Sequence, residues 1–177
     1  MPRIALVFCF LFIISSPVLA QTTNKYYGIA LGNSGYEEIG YSAYMTTLTG
    51  RLGYELDYSK FIFGAEARLG YGQKAVFNDV YIQMDWLISA LGKASLQAMD
   101  RVYLTAYGGY TMADTKATTV IGSSKITDNT LSYGFSIDLY ASREHGLSLE
   151  WMRFLDGAMR GADYTVEYFG LGYFSRF

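Results

Sequence analysis

His145 is the single histidine of the chain, so any reaction that needs an imidazole as general base must use it. Ser148 stands three residues further on. In an extended strand, a spacing of three puts two side chains on opposite faces, so His145 and Ser148 do not assemble a nucleophile–base pair. Glu37 and Glu38, among Tyr36, Tyr41 and Tyr44, are a second gathering of ionisable groups. Adjacent carboxylates are not spaced around a cation, and no His or Cys joins them. Glycines at 32–35, 70–72 and 108–109 suggest phosphate loops by composition alone, because no helix follows any of them. The sequence therefore predicts no catalytic, cofactor-binding or metal-binding residues.

The elements that carry these groups are strands. Of 177 residues, 51% are apolar and 17% charged, with a net charge of −2. That composition excludes a disordered chain and a basic nucleic-acid binder. Beyond residue 20, no apolar run reaches the ~18–20 residues of a spanning helix. Residues 1–20 read as a cleavable signal peptide: a basic start, the apolar run Ile4–Ile14, and small residues up to Ala20. Cys9 lies inside that run, away from any lipid-anchor position, and Pro2 and Pro17 leave with it. The remainder, 21–177, is expected to be one domain without disulfide or proline, as suits a chain whose segments nearly all donate ladder hydrogen bonds.

Alternation with period two dominates that domain. Leu131, Tyr133, Phe135, Ile137 and Leu139 alternate with Ser132, Gly134, Ser136 and Asp138. Phe61, Phe63, Ala65, Ala67, Leu69 and Tyr71 alternate with Gly64, Glu66, Arg68 and Gly70. Helical spacing fits neither stretch. Eight such segments are predicted, at 25–32, 46–58, 61–72, 80–96, 102–113, 130–142, 146–153 and 164–177. In 102–113 both parities carry apolar residues, which leaves its faces open. Long connections (33–45, 73–79, 114–129, 154–163) alternate with short ones (Ser59–Lys60, Gln97–Arg101, Arg143–His145), the pattern of an up-and-down meander whose ends face two compartments.

The polar parity is rich in Gly, Ser and Thr, too sparsely charged to meet water, whereas the other parity carries Tyr, Trp, Phe and Leu. Turned outward, the apolar parity makes a lipid-facing band with aromatic girdles around a narrow polar interior. Tyrosine settles at membrane interfaces, which accounts for 17 of them. The fold expected is all-β: an eight-stranded antiparallel transmembrane barrel preceded by the signal peptide.

The chain ends on Phe169, Leu171, Tyr173, Ser175 and Phe177 in one parity. This resembles the C-terminal signature of outer-membrane barrels, although Ser175 stands where a large residue is usual. The stretches YYGIALGNSGY, YGGYTMADTKA and LSYGFSIDLYASREHGLSLEWMRF resemble the small outer-membrane protein beta-barrel domain family, which includes OmpX-like proteins and the eight-stranded domain of OmpA. The resemblance implies the outer membrane of a Gram-negative bacterium, with both termini in the periplasm. It implies Phe169, Leu171, Tyr173 and Phe177 as an assembly signal read by barrel-assembly machinery. The partners expected are outer-membrane lipids and lipopolysaccharide, with a host or envelope surface ligand at the loops and no nucleic acid. Function by resemblance is a non-enzymatic structural or surface-interaction protein. The alternatives are a lipid A-modifying enzyme, which would need a Ser–His–carboxylate triad, and a small pore.

Strand parity allows the interior charges to be placed. A Ser59–Lys60 turn sets Arg51 opposite Arg68 with Glu66 diagonal, and a turn of Arg143–His145 sets Asp138 opposite Glu150. In a ring of eight these two pairs face each other, so the arginines are expected to reach the carboxylates across the lumen. Glu55, Asp85 and Arg176 are further expected members. Separately hydrated charges are the alternative. Segment 114–129, with strand formers around Gly122–Ser124, reads as a projecting hairpin or as a mobile loop.

Overall fold

The computed structural model describes residues 22–38, 41–77, 80–119, 122–159 and 162–177; the expected signal segment 1–20 lies outside them. The described elements are β1 (Thr22–Glu38), β2 (Tyr41–Tyr58), β3 (Phe61–Gly72), β4 (Ala75–Phe77), β5 (Val80–Met99), β6 (Val102–Thr119), β7 (Gly122–Tyr140), β8 (His145–Met159) and β9 (Ala162–Arg176). Strands adjacent in the ring pair antiparallel, and β1–β9 pairing closes it. β3 and β4 both pair with β5 in one continuous register. They form a single stave interrupted at Gln73–Lys74, so the barrel has eight.

The alternation read from the sequence is the wall of this barrel. Tyr27, Ile29, Leu31, Leu48, Leu52, Phe63, Leu69, Phe135 and Ile137 are all exposed on its outside. Phe169, Leu171, Tyr173 and Phe177 join them. β6, whose faces were open, turns Thr105, Tyr107, Thr111 and Ala113 inward and Leu104, Tyr110 and Met112 outward.

The structure corrects the expected connections. The long ones are mostly strand: β1 and β2 pair as far as Glu38 and Tyr41, and β6 and β7 as far as Thr119 and Gly122. Glu37 therefore sits on an extended ribbon, and Tyr36 stacks on Tyr164 at 5.5 Å between ring centroids. Beyond the lipid band both faces of a ribbon can be polar, so the apolar alternation fades while backbone pairing continues. The Gly122–Ser124 stretch belongs to β7. It is not the turn it was expected to be, and residues 120–121 lie outside the described residues.

The β7–β8 turn is also longer than expected. Tyr140 pairs with Gly146, which slides the register by two: Asp138 faces Ser148, and Glu150 faces Ser136. Ser142 explains the extra length, since its hydroxyl accepts from the Glu144 and His145 amides at 3.2 and 3.0 Å.

The interior is layered. An apolar cluster fills the end toward the β1–β2 and β6–β7 hairpin tips, with Met45, Met84, Leu87, Met152, Phe154 and Tyr168 among its members. The narrow polar interior expected from the sequence is thus apolar at this end. Bulges at Met84/Trp86 and Arg153/Leu155 disturb the alternation near that level. Phe154 and Leu155 are consecutive and both buried. Charged residues occupy the middle, and Tyr26, Tyr140 and Phe174 close the layer nearest the termini.

Candidate functional site

Arg51 on β2 and Arg68 on β3 are directly opposite in register. Two adjacent cations repel, and one carboxylate from across the barrel reconciles them. Glu150 on β8 accepts from Arg51 Nη1 through Oε1 and from Arg68 Nη1 through Oε2, both at 2.6 Å. Ser148 lies one inward position away on the same strand. It accepts from Arg51 Nη2 and donates to Glu150 Oε1, both at 2.7 Å. Glu66, diagonal to Arg51, accepts from Arg68 Nε and from the Tyr26 hydroxyl. None of the four charged residues is more than 4% exposed.

A second group lies toward the termini. Glu55 on β2 is held between Lys93 Nζ and Arg176 Nη2, each at 2.6 Å. Arg176 also donates to the Tyr140 hydroxyl at 2.6 Å, and its guanidinium lies 4.5 Å from that ring's centroid. Aromatic faces line the other cations: Arg68 lies 4.9 Å from the Tyr107 centroid, and Lys93 4.6 Å from that of Tyr26. Cation–π contacts of this kind are strongest where water is excluded.

The expected residues thus divide. Arg51, Glu66, Arg68 and Glu150 meet in one network, while Glu55 and Arg176 meet in the group next to it. Asp138 is buried in the lumen but takes hydrogen bonds from Thr105 and Ser136, at 2.7 and 2.8 Å, in place of an arginine. The shifted β7–β8 register is the reason. Asp85 is not a member. It is the extra residue of the β5 bulge, and among the described residues it makes no hydrogen bond or ion pair. Lys93, Tyr26 and Ser148 were missed. Lys93 was legible, because it shares a parity with Ser89, Leu91 and Ser95 while Ile88, Ala90 and Leu96 face outward.

Chemically, each cluster carboxylate is occupied by cations, hydroxyls or both. Ser148 points into the lumen, bonded to Arg51 and Glu150. His145 is exposed and stacked on Tyr173, whose hydroxyl lies 2.8 Å from Nδ1. The two are separated by the barrel wall. At the terminal end lies a cavity of about 600 Å³ with Arg176, Tyr140, Tyr103 and Asp57 in its lining.

No protein-family model matches the sequence, and comparison with curated proteins gives no match. Solved structures do match. Neisserial surface protein A (NspA) is 12% identical, with a TM-score of 0.68, covering 89% of this chain and 100% of that one. Ail of Yersinia pestis, solved with the heparin analogue sucrose octasulfate, is 13% identical with a TM-score of 0.61, covering 87% of this chain and 99% of Ail. The N-terminal β-barrel domain of Pseudomonas aeruginosa OprF is 10% identical with a TM-score of 0.52, covering 86% and 99%. The fold is that of the small eight-stranded outer-membrane barrels of the OmpX- and OmpA-like kind.

Proposed function

We propose that this chain is a non-enzymatic integral protein of the bacterial outer membrane, with a lumen closed by ion pairs and hairpins that make surface contacts. Residues 1–20 direct export and are removed after Ala20. The termini then face the periplasm, and the β1–β2, β4–β5, β6–β7 and β8–β9 tips face outward, into lipopolysaccharide and the medium. Phe169, Leu171, Tyr173 and Phe177 present the assembly signal to the barrel-assembly machinery.

One observation carries the closed lumen: Glu150 receives arginines from the opposite wall on both its oxygens. Charge-assisted bonds of that geometry are among the strong ones and span the width of the lumen, which supports the closed reading. The separation of His145 from Ser148 argues against the lipid A-modifying alternative. Surface contact is supported by the upper part of β7. Its pairing with β8 begins only at Tyr133, so Ser123–Asn129 have backbone pairing on the β6 side alone among the described residues. Such an edge accepts an added strand.

The test is the purified barrel in lipid bilayers. Absence of steady conductance and of lipid A deacylation is expected. Sustained single-channel currents would overturn the closed lumen, and acyl-chain release would overturn the non-enzymatic assignment.

A further inference from the structure

The register aligns three lysines on the outside of the wall. Gln83 on β5 pairs with Lys116 on β6, and Lys116 pairs with Lys125 on β7. Lys74 precedes Ala75, which pairs with Ile82, so it lies level with Gln83 on the neighbouring stave. Its Nζ stands 3.6 Å from the Tyr81 ring centroid. Adjacent strands are ~4.8 Å apart, so the row spans roughly 15 Å.

Two features make this row unusual. Lys116 and Lys125 are directly opposite, a like-charge pair that is unfavourable unless an anion joins it. Asp114 binds Lys125 at 2.6 Å and holds its ammonium above the ordinary lysine range by that hydrogen bond and its charge. Lys116 has no hydrogen bond or ion pair among the described residues. The height is the second feature. Among the described residues, the outward apolar positions of β6 end at Tyr110 and Met112, and those of β7 at Leu131. The lysines follow within a few residues, at the level where a leaflet's headgroups begin.

We propose that Lys74, Lys116 and Lys125 form a binding row for the phosphates of an anionic glycolipid in the outer leaflet. The proposal rests on the orientation given above, with the hairpin tips outside. The lipid's acyl chains lie along the apolar wall below, and its phosphates bridge Lys116 to its neighbours and relieve the Lys116–Lys125 repulsion. A membrane lipid is favoured over a soluble polyanion because the row adjoins the lipid band and faces sideways, away from the barrel axis.

The full mature chain is reconstituted in phosphatidylcholine nanodiscs containing bis-phosphorylated lipid A, and lipid retained after detergent exchange is counted by native mass spectrometry. The triple variant K74Q/K116Q/K125Q is expected to retain about tenfold less lipid A, whereas Lys60→Gln, at the opposite end, retains the wild-type amount. Dephosphorylated lipid A is expected to be lost equally from all three. Equal retention by wild type and triple variant would overturn the row. So would sucrose octasulfate binding at the same lysines in lipid-free detergent more tightly than lipid A does. A separate measurement tests orientation: Ser123→Cys on intact cells is expected to react with a membrane-impermeant maleimide. Labelling with unchanged lipid retention sinks the phosphate row alone, and failure to label an inserted barrel sinks the orientation.

Discussion

Arg68 and Glu150 stand on diametrically opposed staves, β3 and β8, and meet at 2.6 Å. A contact across the full ring is available only to long side chains in a narrow barrel, so it fixes the width of the lumen as well as its charge. Glu150 is fully buried and shares one carboxylate between two arginines. Removing it leaves buried Arg51 without an ion-pair partner and buried Arg68 with Glu66 alone.

Glu150→Ala is therefore expected to destabilise the barrel by about 3–5 kcal/mol. Urea unfolding in lipid vesicles, followed by tryptophan fluorescence and by the gel-mobility shift between folded and unfolded forms, measures this. Replacing Arg51, Glu66, Arg68 and Glu150 together by Met, Gln, Met and Leu is expected to recover much of the loss, since no charge of that network is then left unpaired. A quadruple variant as unstable as the single one would show that packing, not charge, sets the cost.

Gly53 lies under the Tyr26 ring. A Cβ there would come within 2.1–2.4 Å of ring carbons and the hydroxyl oxygen, and that hydroxyl donates to Glu66. Gly53→Ala is expected to cost about 1–3 kcal/mol by overpacking. Gly50→Ala, with open space around its position, is expected to lie within about 0.5 kcal/mol of wild type. Equal effects in the same unfolding assay would refute the close approach.

The β6–β7 ribbon is paired to its tip on one side only. Amide exchange in 114–119 and 122–129 is expected to be slowed at positions that bond across the β6–β7 ladder, and fast at those facing the missing β8 partner. Uniformly fast exchange through both segments would remove the ribbon and the edge proposed for partner binding.

Deleting Phe177 is expected to lower outer-membrane abundance while leaving export intact. Phe177 packs beside Tyr27 with ring centroids 6.0 Å apart, at the last position of the outward row. Fractionation with an antibody to the barrel measures the split between periplasm and membrane. Wild-type insertion of the deletion would remove its role as an assembly signal.

The outward rows of β3 and β7 were legible because lipid demands an apolar residue at every second position, and the polar parity opposite left no second reading. Arg51 and Arg68 were legible as partners because a two-residue turn leaves no choice of register; Tyr58 pairs with Phe61 across Ser59–Lys60. The β7–β8 turn was misread because Ser142 draws two additional residues into it through side-chain bonds that composition does not announce. Asp85 was misplaced for a related reason. A bulge shifts parity by one residue, and nothing in the run Met84–Asp85–Trp86 marks which residue is extra. The apolar layer near the hairpin tips was obscured because Leu87 and Leu91 share their parity with Ser89 and Lys93.

The pairing of β1 with β9 runs from Tyr26–Arg176 to Glu38–Tyr164, so the first and last stretches of the domain are each other's neighbours. Until the final strand arrives, β1 has a bare row of amides and carbonyls that hydrocarbon cannot satisfy. Each shortened product of synthesis or proteolysis therefore arrives with two unsealed margins and cannot settle in the bilayer. The seam thereby acts as a completeness check: insertion is secured only for a polypeptide made to its last strand.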